Sequence, residues 1–244
     1  MRYWRQAMSQ SAIWSAALWT LVFTLLLTLV MTTLGAGTIA SAFYHPTSPF
    51  AAPLPAVSNP GNVMGGMAAM FILILLAGPF LTAGIYGLFG QAVAGNSITW
   101  SSFWRLGGRF YGRAWSMILF LFLWGVALTI VGVLLAALLH TVGIVIAALL
   151  AIGSWPLAIR MMGGLFVNVL TWSESFRGAW TGQGYGAIWG GGLVALLAYI
   201  ILVGLALVLI KPLGIVGIVL YFLVLLFMDI AVPLWVFAVY RAVH

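Results

Sequence analysis

Met117-Ile-Leu-Phe-Leu-Phe-Leu-Trp124 is an unbroken apolar stretch in which hydrophobic and polar residues do not alternate. It lies inside a longer apolar run at about 116–139, which exceeds the ~20 residues that a helix needs to cross a bilayer. Because backbone polar groups in lipid must be paired within the protein, we expect this run to be a transmembrane helix. A transmembrane barrel would instead show short alternating strands.

Further runs of the same kind occur along the chain. They cover about residues 12–35, 64–90, 142–169, 192–210 and 213–239. The 244 residues are 65% hydrophobic and 5% charged, whereas a soluble domain carries roughly 25% charged residues. The sequence therefore predicts an all-α, polytopic membrane protein with six transmembrane helices in a single transmembrane domain, residues 1–244.

Three prolines, Pro79, Pro156 and Pro233, follow one another at intervals of 77 residues, each in or at the end of an apolar run. Two readings are open: the spacing is a coincidence, or the chain contains three tandem hairpin repeats. We favour the repeats, with units at about 1–92, 93–170 and 171–244.

An aromatic–arginine segment precedes the first, third and fifth runs, and a tryptophan follows 9–12 residues after the arginine. The marked residues are Trp4 with Arg5, Phe103 with Arg105, Arg109 and Arg113, and Phe176 with Arg177. Tryptophan and tyrosine favour the headgroup level of a membrane, and arginine favours its inner surface. We therefore expect interfacial amphipathic segments that lie along the cytoplasmic surface before each hairpin begins.

Charge placement predicts the orientation of the chain. In a six-span arrangement seven of the eight arginines, all except Arg160, fall on one side, and Lys211 falls on the other. The positive-inside rule then places both termini in the cytoplasm. The formal charge of +7 is explained by this arrangement and by attraction to anionic lipids, so no nucleic-acid partner is expected.

The outer side is expected to carry one long loop. Residues 36–62 contain five of the nine prolines and no Lys, Arg, Asp or Glu, which is typical of an extracytoplasmic cap or linker. The other two outer turns are short, around His140 and around Lys211-Pro212.

Asp229 is the one acidic residue deep in a predicted span. Each helix proline frees the carbonyl four residues earlier, at Leu75, Ile152 and Asp229. These carbonyls either line a polar pocket or belong to plain kinks repaired by neighbours. Asp229 itself is a proton or cation site, a hydrogen-bonded acid, or an ion-pair partner of Arg160.

Catalytic and metal sites find little support. The chain has no cysteine, which excludes disulfides and thiolate ligands. It has two acidic residues, which leave almost no candidates for paired acid–base catalysis. Glu174 is expected to be a solvated surface residue, and His140 lacks a second ligand nearby. We predict no catalytic residues, no metal site and no cofactor.

Gly78-Pro79-Phe80-Leu81-Thr82-Ala83-Gly84-Ile85-Tyr86, followed by Ser102-Phe103-Trp104-Arg105, resembles a pattern in bacterial integral membrane families of the YesL and YciC type. Trp155-Pro156-Leu157 is similar to their later proline motif. The resemblance covers about residues 70–180, with Ser101-Ser102 where those families commonly carry an acid. It implies no catalytic residues, and it implies an accessory role near sugar-uptake systems.

Two functions are consistent with these features. The first is a non-catalytic accessory or scaffold protein of the bacterial inner membrane, which binds lipids, other membrane proteins or itself. The second is a small-solute or ion transporter that uses Asp229 and the proline-kinked helices.

Overall fold

The computed structural model of the protein describes residues 2–26, 60–181 and 184–244, and every regular element in these ranges is a helix. The helices are α1 (Arg2–Met8), α2 (Ser11–Leu26, opening with a 3-10 turn), α3 (Pro60–Val93), α4 (Ser102–Phe166), α5 (Trp172–Ala179), α6 (Tyr185–Leu213) and α7 (Ile215–Val243). The all-α class predicted from the sequence is confirmed for these residues.

Four of the described helices, α3, α4, α6 and α7, are long and apolar enough to cross a membrane. A fifth is added if α1 and α2, which meet at a bend of 78°, are taken together as one broken span. These lengths and compositions are those of a multi-pass membrane protein.

α4 turns back on itself at His140, whose backbone is not helical (φ 52°, ψ −128°). Its first arm, 102–139, and its second arm, 141–166, run side by side in opposite directions. The Trp124 indole Nε1 donates to Ser154 Oγ at 3.2 Å and joins the two arms. The sequence-predicted turn around His140 is therefore present.

The turn between α6 and α7 has nearly the same backbone as the turn in α4. Gly214 has φ 56° and ψ −125°, against φ 52° and ψ −128° for His140. A glycine follows each turn by three residues, Gly143 in one case and Gly217 in the other. A side chain at either glycine would collide with a main-chain carbonyl of the preceding arm, so both glycines permit close packing of antiparallel helices.

Each proline divides its helix into an exposed half and a packed half. Among the side chains that the structure describes, the apolar ones before Pro79 and Pro156 are mostly exposed, and no apolar side chain of α7 before Met228 is buried. After these points most apolar side chains are buried or half-buried. Leu138 and Ile215, close to the two turns, are 75% and 80% exposed. The aromatic core lies at the opposite end and contains Phe89, Phe103, Phe110, Phe166 and Phe237.

Two boundaries differ from the sequence prediction. The segment before the third run does not form a separate interfacial helix, because residues 102–115 continue directly into the first arm of α4. Before the fifth run α5 is separate, and α6 begins after Gly184, whose left-handed φ of 69° reverses the chain. The turn expected at Lys211-Pro212 lies slightly later, since both residues belong to the last turn of α6.

Part of the predicted proline-rich loop, residues 36–59, lies outside the described residues. Residues 60–62 of that loop form the first turn of α3, with Pro60 at the position where its missing N–H costs nothing.

Candidate functional site

A cavity of about 320 Å³ lies between α2, α3 and α7, with a contribution from α6. Most of its wall is aliphatic or aromatic. The polar side chains in the wall are those of Thr20, Thr82, Tyr86, Tyr199 and Asp229. Pro233 also lines the cavity, so the kink in α7 and the acidic residue one turn before it face the same space.

Asp229 is exposed to this cavity, and no described residue donates a hydrogen bond to its carboxyl group. The hydroxyls of Thr20 and Thr82 donate to carbonyls of their own helices, to Ala16 O at 2.8 Å and to Gly78 O at 2.9 Å. The oxygen lone pairs of these two hydroxyls remain available to a bound ion or ligand. The arrangement offers one acidic group and several neutral oxygens, which suits a proton or a small cation.

Arg160 lies elsewhere, in the packed half of α4, and its side chain is only 1% exposed. Its Nη2 donates to Thr181 Oγ1 at 2.5 Å and lies 3.4 Å from His244 Nε2. Its Nε and Nη1 have no hydrogen-bond partner among the residues that the structure describes. The hypothesis of an ion pair with Asp229 is therefore not supported by the geometry, and Arg160 does not line the cavity.

Aromatic donors reach the carbonyls beside the kinks. Trp189 Nε1 donates to the freed Ile152 carbonyl at 3.4 Å, and the Tyr185 hydroxyl donates to the next carbonyl, Gly153 O. The Tyr111 hydroxyl donates to Leu76 O at 3.3 Å. These contacts favour kinks repaired by neighbours over a polar pocket lined by free carbonyls.

The kink at Pro233 is contacted by a residue of α1. Trp4 Nε1 donates to Ala231 O at 3.3 Å, and the Trp4 ring meets the Trp235 ring edge-on at 6.2 Å. Trp4 was predicted as an interface residue, but its contact across 227 residues was not predicted.

The remaining aromatic–arginine residues have different surroundings. Phe103 is fully buried, whereas Phe176 is partly buried and stacks on Trp172. Arg113 donates to Val169 O at 3.1 Å and lies over the Phe110 ring. Arg5 and Arg177 are exposed. Arg105 and Arg109 line a second, smaller cavity described below.

Glu174 is more than a solvated residue, because it completes a capping box at the start of α5. Its Oε2 accepts from the Thr171 hydroxyl at 2.7 Å and from the Thr171 N–H at 2.9 Å. These two bonds, the side-chain bond first, hold the pKa of Glu174 below its ordinary value, with help from the Arg177 charge. The pattern Thr171-x-x-Glu174 is a recognisable sequence signal for this cap.

Sequence reasoning missed two sets of contacts. The tyrosine donors follow a visible signal, since Tyr111-Gly112 and Tyr185-Gly186 recur at corresponding places of the sequence. No sequence signal marks the partners of Arg160, because Thr181 and His244 are remote from it in sequence and have no distinctive spacing.

No group of three or more His, Cys, Asp or Glu side chains is close enough to hold a metal ion within residues 2–26, 60–181 and 184–244. Comparisons of the chain with models of protein families, with curated proteins and with solved structures found no match. The similarity to the YesL and YciC type remains a prediction from the motifs quoted above.

Proposed function

We propose that the protein is a non-catalytic accessory or scaffold protein of a bacterial inner membrane, with six transmembrane helices arranged as three tandem hairpins. Its outer helix halves bind other membrane proteins or a second copy of the chain. The observation that carries the proposal is the division of the helices at their prolines into a packed half and an uncovered apolar half.

The length of α4 supports six spans. Its 65 residues would extend ~98 Å as one straight helix, about three times the ~30 Å hydrocarbon core of a bilayer. The break at His140 leaves two arms that are each long enough to cross. α2 and α3, α4, and α6 with α7 then make three hairpins.

The register of the prolines supports the threefold repeat. Four residues after each proline stand Ala83, Arg160 and Phe237, and all three are buried. Seven residues after two of the prolines stand Tyr86 and Tyr240. The middle copy has a glycine there, Gly163, against which the Tyr240 ring packs. Buried residues therefore follow the prolines at matching spacings, and one pair of equivalent positions is in direct contact.

The uncovered halves support a binding role. The most apolar windows of α4 and α6 are only 6% and 11% buried within the chain. Lipid chains cover such faces without any specific partner, whereas other helices cover them through close contacts. In a scaffold, helices of another protein or of a second copy cover these faces, and an experiment can distinguish such contacts from coverage by lipid.

Photo-crosslinking in intact membranes tests the proposal. A photoreactive amino acid at Leu138 or Val208, which are 75% and 70% exposed, should give a discrete protein adduct of constant mass. The same residue at Trp180, which is 53% exposed on the predicted cytoplasmic side, is the control and should not give that adduct. Lipid adducts alone at both outer positions would contradict the scaffold proposal.

The cavity around Asp229 favours the alternative function, transport of a proton or small cation. In proteoliposomes with a pH-sensitive dye inside, a transporter should acidify or alkalinise the lumen under an imposed gradient. Asp229→Asn should abolish that flux, and Tyr221→Phe, remote from the cavity, should preserve it. A proton flux equal to that of empty liposomes would exclude proton transport by this cavity.

A further inference from the structure

A second cavity, of about 240 Å³, lies where the end of α3 meets the start of α4. Unlike the cavity around Asp229, it is lined mainly by polar and cationic groups. The side chains concerned are those of Gln91, Asn96, Ser97, Ser102, Arg105 and Arg109.

Two guanidinium groups face this cavity from one side of α4. Arg105 and Arg109 are four residues apart, so their charges lie on the same helix face and repel each other. The chain has only two acidic side chains: Asp229 lies in the other cavity, and Glu174 bonds Thr171 at the start of α5. Neither arginine therefore has a carboxylate partner among the described residues.

Three of the acceptors around this cavity are already engaged within the protein. Gln91 Oε1 accepts from Asn96 Nδ2 at 2.8 Å, and the Asn96 carbonyl accepts from Gln10 Nε2 at 3.2 Å. Ser102 Oγ accepts from the Thr99 N–H at 3.0 Å. The polar groups that remain for a ligand are the two guanidinium groups, the Gln91 amide, the Ser97 hydroxyl and the Asn96 Oδ1, so N–H and O–H donors outnumber acceptors.

A comparison inside the chain shows what would fill this space. Thr171-Trp-Ser-Glu174 opens α5, and Thr99-Trp-Ser-Ser102 opens α4. In both, the fourth residue accepts the N–H of the threonine, but only Glu174 supplies a negative charge. Ser102 is 2% exposed and contributes only a neutral hydroxyl to the cavity wall, so the two arginines lack the anion that the α5 copy carries.

We infer that this cavity binds a phosphate group, either the headgroup of an anionic phospholipid or free phosphate. Arginine pairs hold phosphate through two parallel N–H···O bonds each, and neutral donors complete the shell. The inference is independent of the scaffold and transport proposals, because it requires neither a partner protein nor a flux.

Native mass spectrometry of the full chain, released from detergent containing equal phosphatidylglycerol and phosphatidylcholine, measures the site directly. The unmodified protein should retain phosphatidylglycerol preferentially. Arg105→Gln or Arg109→Gln should lower its affinity about fivefold each, and the double change about 25-fold. Ser102→Glu should lower it at least about tenfold, because the new carboxylate occupies the place of the phosphate oxygens.

Arg177→Gln is the matched control. It removes the same charge from the equivalent position of α5, beside Glu174, and should leave lipid retention unchanged. Equal losses from Arg105→Gln and Arg177→Gln would show general charge attraction and overturn the site. Unchanged retention in the Arg105→Gln/Arg109→Gln protein would overturn it as well, without reliance on the folding of Ser102→Glu.

Titration calorimetry of delipidated protein with inorganic phosphate separates the two sources. Heat that disappears in the Arg105→Gln/Arg109→Gln protein assigns the site to free phosphate. Retention of phosphatidylglycerol without such heat assigns it to the lipid headgroup. If neither ligand binds in an arginine-dependent way, the inference is wrong.

Discussion

At the scale of single residues, one close helix crossing involves Gly90 of α3. A Cβ at this position would collide with the main-chain carbonyl of Phe166, which cannot move aside as a flexible side chain can. We expect Gly90→Ala to lower the free energy of unfolding by roughly 1–3 kcal/mol, as overpacked cores do. Thermal unfolding in detergent measures the loss.

Gly125 of α4 provides the control for that change. A Cβ there meets nothing within 4 Å, so Gly125→Ala should leave the unfolding temperature unchanged or slightly raised. Equal destabilisation by both substitutions would mean that α3 and the end of α4 do not cross at Gly90.

The cap of α5 should respond to pH. The hydrogen bonds from Thr171 keep the folded-state pKa of Glu174 below the usual ~4.3 of a glutamate. Their stabilising effect is therefore complete above about pH 4.3 and is lost as the pH falls through the lower, folded value. Hydrogen exchange of the Thr171 amide, normalised to the intrinsic rate at each pH, should accelerate over that window.

Thr99 supplies the comparison within the same sample. Its amide is bonded to Ser102, which has no proton to gain at low pH, so its protection should stay constant. Parallel loss of protection at Thr99 and Thr171 would indicate global unfolding rather than titration of the cap.

Residue-level prediction from sequence succeeded where a local pattern carried the information. The three prolines lie close to the boundary between exposed and packed helix halves. Asp229 does face a cavity, but the structure gives no support to its alternative role as a partner of Arg160, because the arginine's neighbours are set by how the chain end packs. Such long-range contacts leave no periodic trace in a sequence of mostly apolar residues.

At the scale of elements, the two hairpin turns share a backbone that suits glycine. Gly214 adopts φ 56°, ψ −125° without a side chain, whereas His140 adopts φ 52°, ψ −128° with one. Non-glycine residues in such regions cost ~1–3 kcal/mol. We therefore expect His140→Gly to raise the free energy of unfolding by about 1 kcal/mol, measured by denaturant titration in micelles.

Thr141→Gly is the matched change one residue later, in a helical position. It should lower stability by roughly 0.5–1 kcal/mol, because glycine loses more backbone freedom there. A loss of stability for His140→Gly as large as that for Thr141→Gly would argue against the hairpin conformation at residue 140.

Element boundaries were predictable only where the sequence contains a stop signal. The region around His140 was recognised as a turn because it separates two apolar runs. The continuity of residues 102–115 with the first arm of α4 was not recognised, because an amphipathic segment and a span were expected to be distinct. Gly107 and Gly108 do not interrupt α4, whereas Gly184, with its positive φ, directly precedes the first residue of α6.

At the scale of the whole molecule, the six-span arrangement makes a labelling prediction. The chain has no cysteine, so a single introduced thiol is labelled without background. Thr141→Cys and Leu213→Cys, near the two turns, should react with a membrane-impermeant maleimide added outside cells. Trp100→Cys and Trp172→Cys, at the starts of α4 and α5, should react only after permeabilisation.

Each position tests a separate part of the topology. Protection of Thr141→Cys from outside would mean that the two arms of α4 do not cross the bilayer separately. External labelling of Trp100→Cys would reverse the orientation inferred from the arginines. The all-helical class is secure for the described residues because hydropathy alone determines it, whereas span number and orientation depend on a membrane and need this measurement.

The bond from Trp4 to Ala231 has a consequence for biosynthesis. Trp4 cannot meet its partner until Ala231, 227 residues later in the chain, has been synthesised, roughly 10–50 s later at bacterial elongation rates. We expect the segment around Trp4 to wait at the membrane surface and to pack against α7 last. Nascent chains stalled before α7 should expose it to protease, whereas the finished protein should protect it.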